Sequence, residues 1–179
     1  MTHKIKKQNI FNFLKAQGII KEIKNTTKIF ETTADSSLKE LNILNLNKSS
    51  NYWQFETENN TFLEPKTKKV DGVIIEETSE KILRIVLIEL KSKKIIEHEV
   101  IEKFEQSLSW IYLLLNLLYG KENKEIEIFG ILAAQKNKNW NTKSDLYILN
   151  STSIRYIKRS FFTAESYLDL NYNELVKKI

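Results

Sequence analysis

The chain has 179 residues, 28 basic and 23 acidic side chains, a net charge of +5 and a pI of about 9.2. That length suits one domain with a real core, and the lack of cysteine excludes a disulfide framework, a thiolate zinc site and a cysteine nucleophile. The longest apolar run, 110–119, is broken by Asn116 and too short to span a bilayer, and the basic start carries no secretory pattern, so a reducing cytoplasm is the expected setting.

In chain order, residues 9–24 carry Ile10, Phe11, Phe13, Leu14, Ile19, Ile20 and Ile23 at amphipathic helical spacing, with a weak point or an end near Gly18. Asp35, Ser36 and Ser37 suit the cap of a second short helix through Leu38, Leu41 and Leu44, with Glu40 on its flank. A strand is predicted over 52–56, then a polar turn at 58–60. Two apolar runs come next, one after Val70 and one from Arg84 to Lys91, separated by the polar turn Thr78-Ser79-Glu80-Lys81. As an antiparallel hairpin they would oppose residues whose numbers sum to about 160.

Residues 96–119 form the longest helical pattern, with Val100, Phe104, Leu108, Ile111, Leu115 and Leu118 on one face and Gly120 placed to end it. Residues 126–134 read as another buried strand, so that strand, helix and strand make a crossover unit with the two strands as parallel neighbours. Residues 146–150 are a further strand candidate, 151–162 fit either class, and 164–179 are expected to close the chain as a helix. With no internal repeat and no Pro- or Ser-rich linker, one mixed α/β domain over 1–179 is the economical reading.

The chemistry concentrates at one end of the hairpin. Glu89 and Lys91 lie two residues apart on an otherwise apolar strand, where charges are costly unless paired or bound to a metal. Asp71 falls opposite Glu89 or one step away, so two carboxylates and an ammonium converge. The triplet Glu-x-Lys occurs four times in the chain, but only at Glu89 does it end a buried-type strand preceded at hairpin distance by a second acid. A solvated edge strand with a surface Glu89–Lys91 pair is the plainer alternative. It is disfavoured because Ile85 and Leu87 share the face of Glu89 while Val86, Ile88 and Leu90 cover the other. Two hard-oxygen carboxylates suit Mg²⁺, with Mn²⁺ as a substitute, and a lysine beside them can orient a hydroxide or stabilise a charged phosphorane.

This order of parts, Val70-Asp71-Gly72 followed by Ile88-Glu89-Leu90-Lys91-Ser92, a helix and a further strand, resembles the PD-(D/E)xK nuclease superfamily. That superfamily includes restriction endonucleases, Holliday junction resolvases and RecB-type nucleases. The resemblance covers about 69–134, roughly the middle third. It implies a restriction endonuclease-like core, a mixed β-sheet flanked by helices, with metal ligation by Asp71, Glu89 and the Leu90 carbonyl and with Lys91 catalytic. The activity implied is Mg²⁺-dependent hydrolysis of DNA, as an endonuclease of restriction, resolvase or defence type working as a homodimer, with RNA not excluded. The alternative is a nuclease-fold protein that binds or assembles without cutting.

The sequence departs from the family at Val70, where a proline often precedes the acid, and in its first helix, where relatives place a Glu. The first acid here is Glu22, at the far end of that helix, which leaves Glu40 as the better candidate to complete the site, against a solvated helical acid. RecB-type relatives place a Gln on the helix after Glu-x-Lys with Tyr four residues later. Gln106 matches the first, while Trp110 stands in the place of the second. His98 reads as a surface histidine more readily than as a ligand. Lys93 and Lys94 add positive potential beside the site, and Lys158 and Arg159 sit in an aromatic-basic stretch suited to gripping a phosphate backbone or to an exposed strand. The positive net charge favours a polyanion, although a Lys- and Asn-rich composition is also the mark of an AT-rich genome.

Overall fold

The first helix, α1 (His3–Ala16), ends where Gly18 takes a left-handed backbone, φ 66°. Its amide bonds to the Lys15 carbonyl at 3.0 Å and the Ile19 amide to the Leu14 carbonyl at 2.9 Å, a Schellman close in which buried Leu14 and Ile19 flank the turn. The helix predicted over 9–24 therefore stops short. Beyond Gly18 the chain enters strand β1 (Ile20–Ile23), because Ile20 and Ile23 find a sheet partner in β4 (Asn51–Phe55). The computed structural model describes residues 3–30, 39–55, 57, 68–78, 82–91, 97–120, 122, 124–135, 146–147, 156–162 and 167–176.

The remaining elements are β2 (Thr27–Phe30), β3 (Glu40–Leu44), β5 (Gly72–Glu77), β6 (Ile82–Lys91), α2 (Glu97–Tyr119), β7 (Glu125–Gln135), β8 (Leu146–Tyr147), β9 (Tyr156–Phe162), β10 (Tyr167–Asn171) and α3 (Tyr172–Leu175). They build a seven-stranded sheet, β1-β4-β5-β6-β7-β9-β8, and a three-stranded sheet, β10-β3-β2. In the larger sheet β6, β7 and β9 run parallel and the other pairs antiparallel, an α/β arrangement with mixed strands. The hairpin register is the expected one, with Gly72 opposite Ile88 and Ile74 opposite Val86. The long helix also matches, and all six residues assigned to its inner face are buried.

Alternation along β5 and β6 divides the core in two. Val73, Ile75, Leu83, Ile85 and Leu87 pack under α1 and α2 with Phe104, Leu108 and Ile111. Ile74, Val86, Ile88 and Leu90 face the other way, against Ile29, Leu41 and Ile43 of the small sheet and Tyr172. Each fully buried aliphatic side chain contributes roughly 1.5–3 kcal/mol relative to exposure, so both layers are held mainly by burial.

Two sequence expectations are corrected here. Residues 40–44 form β3, not a helix, because Leu41 and Ile43 alternate inward while Glu40, Asn42 and Leu44 turn out. Leu38, Leu41 and Leu44 also satisfy a helical period, and in so short a run only the sheet partners decide. Those partners are β2 and β10, the latter a parallel strand where the sequence suggested a terminal helix over 164–179. Only 172–175 of that stretch is helical among the described residues.

Gly72 marks a close approach between the sheets. A Cβ there would stand 2.5 to 2.9 Å from three side-chain atoms of Ile29, itself β-branched and buried. Gly72→Ala is expected to lower stability by about 1–3 kcal/mol in urea denaturation. An unchanged midpoint would mean that Ile29 yields freely.

At the other end of the hairpin, Glu76 is 2% exposed and carries a polar cluster. Its carboxylate accepts from Tyr52 Oη at 2.9 Å, Tyr172 Oη at 3.0 Å and the Arg84 guanidinium at 3.0 Å, and Arg84 reaches Glu127 at 2.7 Å. Burial, reinforced by the Glu76 charge, pushes the Tyr52 phenol up to about 12 and holds that of Tyr172 well above its ordinary value. Burial also raises Tyr119. A phenol with a raised folded-state pKa stabilises the fold fully below about pH 10. That contribution is lost as pH climbs through the folded value. Absorbance titration at 295 nm is therefore expected to leave these tyrosines un-ionised until the chain unfolds, and smooth ionisation of every tyrosine near pH 10 would contradict the burial.

Candidate active site

Residues 68–71, which lead into β5, have no ladder of their own, and side chains hold them instead. Gln106 Oε1 on α2 accepts from the Lys68 amide at 2.8 Å, and Ser107 Oγ accepts from the Val70 amide at 3.0 Å. Thr57 Oγ1 donates to the Asp71 carbonyl at 3.1 Å. Asp71 is thereby delivered to the mouth of the hairpin, one position beyond the Gly72–Ile88 pair, where its Oδ2 accepts from the Leu90 amide at 2.5 Å. In a strand the N–H and C=O of one residue point to the same edge, so the Leu90 carbonyl is directed to the edge that Asp71 occupies.

Glu89 shares the parity of Ile85 and Leu87 and so faces the helical layer, as Asp71 does with Val73 and Ile75. It is 0% exposed. Its Oε1 accepts from Lys103 Nζ of α2 at 2.6 Å, and the Lys103 side chain keeps 24% of its surface. A charge this deep persists only when paired, and α2 supplies the pair.

Lys103 is the residue that sequence reasoning missed. A signal was present: Lys103 lies three residues after Val100 and four before Ser107, on the flank of the buried stripe, where a cation is out of place unless an anion faces it. That α2 brings it against Glu89 is a tertiary matter.

Lys91 ends β6 in register with Ala134, and its side chain lies outside the described structure. Lys93 and Lys94 are outside the described residues, while Lys158 and Arg159 occupy β9 as backbone positions opposite Ile131 and Leu132. Gln106 reaches the segment that carries Asp71, with its Nε2 donating to Glu102 at 3.0 Å. Trp110 packs edge-on against Phe55 at 5.6 Å. His98 is exposed.

Glu40 is corrected. It sits on the outward side of β3, across the sheet from Glu89, and pairs with Lys28 at 2.7 Å. The alternation that buries Leu41 and Ile43 turns it away from the hairpin. Glu22 is likewise on β1 and not on α1, its carboxyl held below the usual range by Lys15 at 2.5 Å.

The donor set at this centre is hard oxygen. Among the described residues no three His, Cys, Asp or Glu side chains gather as a metal group. Two carboxylates and a carbonyl, completed by water, nevertheless match what Mg²⁺ accepts, since it retains several waters and seldom uses an all-protein cage.

Fold and site thus define an α/β protein with a mixed sheet flanked by helices and an acidic pair at the mouth of its central hairpin. Comparison with protein-family models, with curated proteins and with solved structures finds no significant match to the chain. Among the described residues no helix is long and apolar enough to cross a membrane.

Proposed function

We propose that this protein is a metal-dependent nuclease with a restriction endonuclease-like core, hydrolysing phosphodiester bonds in DNA. The observation that carries the reading is the fully buried Glu89 beside Asp71 on the helical face of the β5–β6 hairpin, followed by α2 and the parallel strand β7. Asp71, Glu89 and the Leu90 carbonyl would hold Mg²⁺ or Mn²⁺, which supplies Lewis-acid polarisation of a phosphoryl oxygen and a more acidic water. Asp71 is pre-positioned for this by Leu90, Thr57 and Ser107, which limits its reorganisation on binding. Lys91, two residues beyond Glu89, is assigned to orient the attacking water and offset charge on the phosphate. Gln106 is assigned a positioning part through Lys68.

The net charge of +5 supports a polyanionic substrate. Pairing of two copies, so that both strands are cut, is supported by the uncharged stretch 106–119 of α2, where Leu113 and Leu117 stay 62% and 54% exposed. A cysteine-free chain suits the cytoplasm. A second reading, binding without cleavage, is favoured by the Lys103–Glu89 pair and by the outward turn of Glu40.

Incubation of supercoiled plasmid, linear DNA, a four-way junction and RNA with the protein in Mn²⁺ and in EDTA separates the two readings. Metal-dependent cutting of DNA is expected. Lys91→Ala should slow single-turnover cleavage by about 10²-fold or more while DNA binding in Ca²⁺ falls only modestly. Equal losses in both would reduce Lys91 to a binding residue, and no cutting of any substrate by the unaltered protein would leave the binding reading.

A further inference from the structure

We infer that Lys103 is a resident counter-ion that competes with the divalent cation for Glu89, so that metal entry is coupled to release of the lysine from the β6 carboxylate. This rests on the reading of Asp71 and Glu89 as metal ligands and adds a residue that the Glu89-Leu90-Lys91 motif does not contain.

Three observations converge on it. Glu89 is 0% exposed, so its charge needs a cation close by in every state of the protein. Lys103 Nζ meets that need at 2.6 Å from Oε1, within the space a metal ligated by the same oxygen would have to share. The Lys103 side chain is only partly covered, at 24% of its surface, and it reaches in from a helix whose own hydrogen bonds do not depend on it. Its four-carbon stem can therefore swing toward water without moving α2. Asp71 stays committed to the Leu90 amide through the exchange, because that bond lies within the hairpin.

An ammonium and a dication on one carboxylate repel each other. Each therefore lowers the occupancy of the other. While Lys103 is paired, the ligating form of Glu89 is a minor state, and apparent metal affinity is reduced by that fraction. The pair would keep the buried carboxylate satisfied before metal arrives and set a threshold concentration below which the site stays closed. The released ammonium would then lie at the edge of the same centre, beside Gln106 and Ser107 on α2, available to a substrate phosphate.

The test is direct titration of Mn²⁺, monitored by electron paramagnetic resonance of the free ion, into the full chain and its variants Lys103→Met, Glu89→Gln and the double variant. Lys103→Met is expected to bind Mn²⁺ about tenfold more tightly or better, the gain set by the fraction of Glu89 that the lysine had occupied. Glu89→Gln is expected to abolish binding in both backgrounds. If Lys103→Met binds no tighter while Glu89→Gln still abolishes binding, competition is wrong and the ligand assignment stands. If Glu89→Gln leaves binding unchanged, the ligand assignment fails and this inference with it. Should Lys103→Met be unfolded without metal, circular dichroism during Mn²⁺ titration decides. Recovery of the fold below the concentration that half-saturates the unaltered protein supports competition, and no recovery overturns it.

Discussion

Glu89→Gln is expected to remove cleavage activity by about a thousandfold or more, beyond the 10–100-fold that loss of an outer-shell partner typically costs. The substitution keeps shape and volume but deletes the one fully buried carboxylate of the centre. Folding is expected to survive, since the partner Lys103 is partly exposed and can turn to water, leaving a neutral amide in the pocket. Single-turnover cleavage in Mn²⁺ and a thermal melt in EDTA measure the two effects separately. Loss of activity with an intact melt marks a functional carboxylate. A variant that cuts at the normal rate removes Glu89 from the mechanism, and a collapsed melt makes the Glu89–Lys103 pair a structural element first.

The second large effect belongs to the opposite end of the hairpin. Arg84→Met is expected to destabilise the fold by about 3–5 kcal/mol, because it takes the guanidinium from the Glu76 carboxylate, which is 2% exposed, and leaves it the phenols of Tyr52 and Tyr172 as partners among the described residues. The double variant Arg84→Met with Glu76→Leu should regain part of that loss, since a buried pair replaced as a unit avoids the uncompensated charge, although Tyr52 and Tyr172 then lose an acceptor. Urea denaturation of the single and double variants forms the cycle. A cost below about 1 kcal/mol for Arg84→Met would place this cluster among ordinary surface pairs.

The two ends of the hairpin are unlike in a useful way. The Glu76 end is closed by an arginine that also meets Glu127 and by two phenols, one of them from the C-terminal segment, so it ties β5, β6 and β7 together and fastens α3 to the sheet. Among the described residues, the Asp71 end is held by hydrogen bonds from the Leu90 amide and to helix side chains and by a lysine that stays partly exposed. Carboxylates paired with a partly exposed lysine suit the proposed metal centre, and a guanidinium clamp suits a joint.

Much of the central architecture was legible because its causes are local. Alternating apolar residues on either side of a short polar turn specify the β5–β6 hairpin and its register, and the 3.6-residue period from Val100 to Leu118 specifies α2. Once strand, helix and buried strand succeed one another, the parallel pairing of β6 with β7 is nearly forced by the handedness and length of the crossover. The placement of Asp71 and Glu89 on one face comes from the same register. Schellman closure at Gly18 was half visible: the glycine signalled an end, but not that Ile20 and Ile23 would leave the helix for a sheet.

Period and short separation are thus enough to specify the hairpin, the long helix, the parallel strand after it and the placement of Asp71 and Glu89 on one face. Long-range packing sets the small sheet, where Asn42 bonds Asp169 across 127 positions, and the Glu76 cluster, where Tyr172 returns across 96. It also decided that Lys103 faces Glu89. The physical reason is common to all three. A five-residue run such as 40–44 satisfies helix and strand patterns alike, and a lone lysine on a helix flank has no identity until a carboxylate is packed against it, so the choice is made by burial and pairing with chain far away.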